Sequence, residues 1–189
     1  IENKKFKCAE QVLNYLRENN LDLVEEIIKQ HKLLNKINPS SVNTIRIVSI
    51  YNKKVFYVGA CFRIGNKKFV DNFESGGMTA KVDVGTGIVL SPAIDKAGNV
   101  YYNHPATKAK IEGFKIPYYE EALKLIAKMT KLVPTIRYIG WDIAITENGP
   151  VLVEANPLPG SQITQMPYPG GKKEGCLPKI NEALNYKIW

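Results

Sequence analysis

GWDIAITENGPVLVEANP, residues 140–157, belongs to two strand-like runs, Tyr138 to Thr146 and Pro150 to Ala155, around the turn signal Glu147-Asn148-Gly149. Each run carries one carboxylate, Asp142 or Glu154, in otherwise apolar company. A three-residue loop suits Glu-Asn-Gly, because Gly149 accepts positive φ without a Cβ clash. That register pairs Thr146 with Pro150 and therefore Asp142 with Glu154. Opposed side chains on an antiparallel pair stand roughly 4.5–5.5 Å apart at Cβ, and like charges there are destabilising. Strand alternation returns Asn156 to the face of Glu154, over the small residues Gly140 and Ala144, while Ile139, Trp141, Ile143 and Ile145 form a core wall on the other side. Two acids and an amide oxygen over a small-residue floor suit a hard cation such as Mg²⁺, which takes a few carboxylates together with substrate phosphates. A two-residue Asn-Gly turn would shift the register by one and leave the two acids on opposite faces, solvated. Geometry alone leaves both readings open.

The 189 residues suffice for a sizeable core and read as a single domain, 1–189. No apolar run approaches the ~20 residues that a membrane helix needs, and Ile1 to Lys7 contain no signal-like apolar stretch. The chain begins with Ile and is read as part of a longer protein. Cys8, Cys61 and Cys176 are widely spaced, without a CxxC pair, which points to reduced thiols in a cytoplasmic protein. The net charge of +8 is spread over scattered doublets such as Lys53-Lys54 and Lys172-Lys173. That pattern describes a solvated surface, not the basic stripe of a nucleic-acid interface, and is compatible with a small anionic ligand such as a nucleotide.

Upstream, Cys8 to Asn19 has helical periodicity with Val12, Leu13 and Leu16 on one side. Leu21 to Ile28 reads as a strand, and Lys29 to Asn38 as a short helix or ordered loop before Pro39. TIRIVSIY and VFYVGACFR alternate as a meander that Ser75-Gly76-Gly77 breaks; shorter strands follow between Lys81 and Tyr102. Tyr118 to Leu132 is the clearest helix, with Tyr119, Ala122, Leu123, Ile126, Ala127 and Thr130 on one face, and Leu177 to Tyr186 is a last one. The fold class is α+β: an antiparallel β-sheet with helices packed on one face. Arg46 and Arg63 sit in apolar runs, where a guanidinium is costly unless paired; a bidentate anionic ligand or a structural salt bridge would serve. His31 and His104 carry no legible role and read as surface or loop residues.

The sequence Asp142, Glu154, Asn156 ending in EANPLPG resembles the metal-binding signature of ATP-grasp ligases. VEEII (24–28) is similar to that family's hinge strand. NPSSVNTIRIV (38–48), CFRIGNKKFVDNFESGG (61–77) and GWDIAIT, in that order, resemble the sugar-transfer associated branch, related to alpha-L-glutamate ligases. The resemblance covers about Leu21 to Gly160 and supplies the register that geometry left open. It implies an ATP-grasp C-terminal lobe in which Asp142, Glu154 and Asn156 hold one or two Mg²⁺ ions against ATP. By the same resemblance Glu25 receives the adenine amino group, the backbone of Glu26 and Ile28 completes the edge contacts, and Ile27 packs on the ring. Asn72 would approach the triphosphate, and Arg46 and Arg63 the reacting anion. The implied activity joins a small-molecule carboxylate to a nucleophile acceptor, such as a sugar derivative, through an acyl phosphate, in polysaccharide or cell-surface glycan assembly. The glycine-rich loop and lysines that precede the hinge in the family have no counterpart here, so the N-terminal lobe is expected to lie largely outside this chain. A non-catalytic ATP-grasp-like scaffold domain is the rival expectation.

Overall fold

The computed structural model describes residues 5–66, 73–166, 168 and 175–186. Its frame is one antiparallel sheet of seven strands: β1 (Thr44–Asn52), β2 (Lys54–Ile64), β3 (Met78–Lys81), β4 (Ala93–Asp95), β5 (Val100–Tyr101), β6 (Tyr138–Thr146) and β7 (Gly149–Asn156), in the spatial order β5-β4-β3-β2-β1-β6-β7. β1 and β2 are the Ile-, Val- and aromatic-rich runs, joined where Lys53 takes the left-handed conformation (φ 59°) that a tight reversal requires.

Four helices accompany the sheet: α1 (Ala9–Glu18), α2 (Lys32–Ile37), α3 (Tyr119–Thr130) and α4 (Leu177–Leu184). Leu34 and Ile37 of α2 and Tyr119, Ala122 and Ile126 of α3 pack on Ile45, Ile47, Phe62, Ile64, Ile139, Trp141, Ile143 and Ile145, so the core wall expected on β6 is the main core. α4 lies at one end of the opposite face, where Ala183 meets Val48, Ile50 and Val58. α+β with an antiparallel sheet is thus the fold; α2 and α3 cover one face, and α4 adds a partial cover to the other. α1 has no buried residue. Among the described residues no helix is long and apolar enough to cross a membrane.

The expected strand Leu21–Ile28 is instead an exposed coil, with Ile27 84% accessible. A strand needs a neighbour, and this segment has none until Gln30 bridges Thr146 and the His31 amide donates to the Ile145 carbonyl at 2.7 Å. Both histidines are buried, contrary to their surface reading. His31 caps α2 by accepting from the Leu33 amide, and His104 lies 3.0 Å from the Gly65 carbonyl.

A buried amide hub fixes the start of β1 to the end of β2. Asn43, fully buried, accepts from the Gly65 amide and the Asn38 side chain, and donates to Gln30 Oε1 and to the Asn38 carbonyl. Asn43→Ala strands several buried partners at once, each worth roughly 1–3 kcal/mol when left unsatisfied. We expect a loss of about 3 kcal/mol, measured as a lowered urea midpoint at unchanged slope.

Candidate functional site

The β6–β7 hairpin reaches the expected pairing by a different route. Gly149 takes positive φ (114°) as anticipated, but β7 resumes there, so Thr146 pairs with Gly149, not Pro150. A bulge at Val153 then makes up the missing residue: Ile143 pairs with Leu152, yet Asp142 pairs with Glu154 and Gly140 with Asn156. A bulge inserts one residue on one strand and so shifts register by one, which cancels the shorter turn.

Reading across the strands, Lys81, Cys61, Arg46, Asp142 and Glu154 stand in one row over β3, β2, β1, β6 and β7. The row on one side is Thr79, Arg63, Thr44, Ala144 and Val151; that on the other is Gly59, Val48, Gly140 and Asn156. The face away from α3 therefore carries the ionisable groups. Asp142 is 2% accessible and is held by both arginines. Arg46 Nε donates to Oδ1 and Nη2 to Oδ2 at 2.7 Å, a two-pronged pair, while Arg63 Nη1 reaches Oδ2 at 2.6 Å. The salt-bridge solution for both arginines is thus realised, and its partner is the aspartate assigned to metal.

Burial works against the Arg46 charge, but hydrogen bonding and charge from Asp142, with smaller contributions from Cys61 and Glu154, hold its pKa above the ordinary value. Burial raises the Cys61 thiol to about 11 despite the two neighbouring arginines, so it is a neutral thiol at physiological pH. Tyr119 and Tyr168 are likewise pushed upward, chiefly by burial. Acids whose folded pKa exceeds the unfolded one keep their stabilising effect below the unfolded pKa and lose it as pH rises through the folded value. Stability should therefore decline from about pH 9 upward, and thermal unfolding between pH 8 and about 11 checks this. All three cysteines are free thiols.

The space at Gly140 that would have floored a cation is already filled. A Cβ there would lie 2.6 Å from Pro159 Cβ, and one at Gly59 would lie 3.1 Å from Cys176 Sγ. The chain after Asn156 thus folds back along the glycine row, and Tyr168 ends up beside Cys61 and Thr79. What remains open is the β7 side. Glu154 is exposed and Asn156 half-buried, and among the described residues no hydrogen bond occupies either side chain. A carboxylate offers about four lone-pair positions, of which the arginines use three on Asp142. Among the described residues no three His, Cys, Asp or Glu side chains gather. The donor set available to a cation is one position on Asp142, the Glu154 carboxylate and the Asn156 amide oxygen, all hard oxygens, which fits a Mg²⁺ that completes its shell with phosphate and water.

Glu25, Glu26 and Ile27 are exposed and Ile28 is half-buried on the coil that leads to Gln30 and the hairpin tip. No hydrogen bond joins their side chains to the arginine–aspartate cluster among the described residues. Asn72 lies outside the described residues, whereas Gly76 (φ 94°) follows a single 3₁₀ turn at Phe73–Ser75. Lys81 and Tyr168 were not singled out from sequence; Lys81 joins the row only through the pairing of β3, a non-local property. Comparison with curated proteins and with solved structures returned no match. The model of the sugar-transfer associated ATP-grasp family matches residues 13–181, and the chain belongs to that family.

Proposed function

We propose that the protein is an ATP-dependent ligase that activates a small-molecule carboxylate as an acyl phosphate and passes it to a nucleophile, in polysaccharide or cell-surface glycan assembly in the cytoplasm. Family membership supports the ATP-dependent, ligase-type chemistry. The observation that carries the site assignment is the register that brings Glu154 and Asn156 beside an aspartate already neutralised by two arginines.

In this reading the chain is the metal-bearing C-terminal lobe of the ATP-grasp domain. Asp142, Glu154 and Asn156 hold one or two Mg²⁺ ions, which supply charge neutralisation for phosphate oxygens. Glu25, Glu26, Ile27 and Ile28 form the adenine edge, on a segment whose exposed apolar side chains are available to a flat ring. Asn72 contributes from the segment before Gly76. Arg46 and Arg63 are positioned by Asp142 so that their remaining N–H donors face the reacting carboxylate and the transferred phosphoryl group. Such transfers gain mostly from positioning and charge stabilisation, so arginines already oriented by a buried partner avoid reorganisation during reaction. The proximal Cys61 thiol is neutral and buried, which excludes it as a nucleophile at neutral pH.

The test is to incubate the protein with ATP, Mg²⁺, hydroxylamine and a panel of carboxylates that includes sugar acids. Hydroxylamine traps an acyl phosphate as a hydroxamate, so the expected result is hydroxamate formed in equal amount with ADP, dependent on one carboxylate. ADP release without hydroxamate, or indifference to every carboxylate while ATP is bound, would refute the acyl-phosphate route.

A further inference from the structure

A second cavity opens at the far end of the ionisable row. It has a volume of about 240 Å³ and is lined by Gly59, Lys81, Asp83, Thr164, Cys176 and Lys179, with apolar neighbours from β2 and the chain beyond β3. Among the described residues neither lysine makes a salt bridge. Both nevertheless act on one point: burial raises the Cys176 thiol, and the positive charges of Lys179 and then Lys81 oppose it. Two cations converging on one half-buried cavity without an acidic partner favour an anion there. Asp83 does not fill that role, because its Oδ1 is engaged by the Thr86 amide and hydroxyl, both at 2.7 Å. Its other oxygen and the Thr164 hydroxyl remain polar groups on the cavity wall.

We infer that this cavity holds the phosphate or carboxylate group of a small hydroxylated molecule, the second substrate of the ligase; the word substrate here rests on the proposed function. Lys81 and Lys179 would take the oxyanion, and Asp83 and Thr164 the hydroxyl groups. The volume lies below the ~300–1,000 Å³ of drug-sized sites, which limits the occupant to about the size of a sugar phosphate or sugar acid. Lys81 belongs to the same row as Arg46 and Asp142, and three strand spacings separate it from Asp142, about 14 Å at ~4.8 Å each. Tyr168, beside Cys61 midway along that row, divides the cavity from the arginines. Gly59 keeps the floor low, since a Cβ there would press on Cys176 and Thr164.

The experiment is an amide NMR titration of the ¹⁵N-labelled protein with inorganic phosphate, glucose 6-phosphate and glucuronate, against potassium chloride at matched ionic strength. Saturable shifts at Gly59, Thr164 and Cys176 are expected, and Lys81→Gln with Lys179→Gln should weaken them about tenfold or more while the spectrum stays folded. Lys179→Arg should retain binding. A stronger response to the sugar phosphate identifies phosphate as the group, and one to glucuronate identifies carboxylate. The same shifts with chloride, or unchanged affinity in the double lysine variant, would overturn the site. Glu154→Gln should leave this titration untouched, so loss of the nucleotide reading and loss of the anion cavity are separate results.

Discussion

Asp142→Ala should destabilise the protein by about 3–5 kcal/mol, the usual cost of removing one member of a buried ion pair. The aspartate is nearly inaccessible, and three N–H groups of Arg46 and Arg63 converge on it. Without it two guanidinium groups remain at the sheet surface beneath the returning chain, with only exposed Glu154 as nearby compensation. A urea denaturation curve measures the change as a lowered midpoint. Replacing the whole cluster by apolar side chains of similar volume, Arg46→Met, Arg63→Met and Asp142→Leu together, should recover most of the loss, because the destabilisation comes from uncompensated charge. A single variant within 1 kcal/mol of the parent protein would mean that the ion pairs are solvated and the buried cluster is wrongly assigned.

Glu154→Gln should behave in the opposite way. Its side chain is exposed and no hydrogen bond holds it among the described residues. The stability change should therefore stay within about 0.5 kcal/mol, as for other surface substitutions. Activity should fall at least about 100-fold, the order seen when one preorganised charge-stabilising group is removed. The conservative swap keeps size and polarity but removes the charge that a divalent ion needs. Measuring carboxylate-dependent ADP release and the urea midpoint on the same preparation separates the two effects. Asp142→Ala alone cannot do so, since it disturbs fold and site together.

The sheet and its main core were legible because β-branched alternation in β1, β2 and β6 and the 3.6-residue period of α3 are local signals that tertiary packing did not override. The pairing of Asp142 with Glu154 was also legible, although the turn was one residue shorter than expected. The bulge at Val153 that restores register leaves no mark in a run of valines and leucine. Two errors have a common cause. Leu21–Ile28 has strand-like composition but no partner strand, and Gly140 has empty space in sequence that Pro159 fills in three dimensions. Both depend on what arrives from elsewhere in the chain. The arginines show the same limit: sequence said that each needed an anion, but only the register of β1 against β2 and β6 shows that they share Asp142.

The most direct test of the central claim is a crystal structure of the protein with Mg²⁺ and a non-hydrolysable ATP analogue. The expected result is a cation about 2.0–2.1 Å from oxygens of Glu154 and Asn156, bridging phosphate oxygens on the sheet face away from α3, with Asp142 completing its shell. Phosphates bound on the α3 side of the sheet, or a cation held without Glu154 and Asn156, would contradict it.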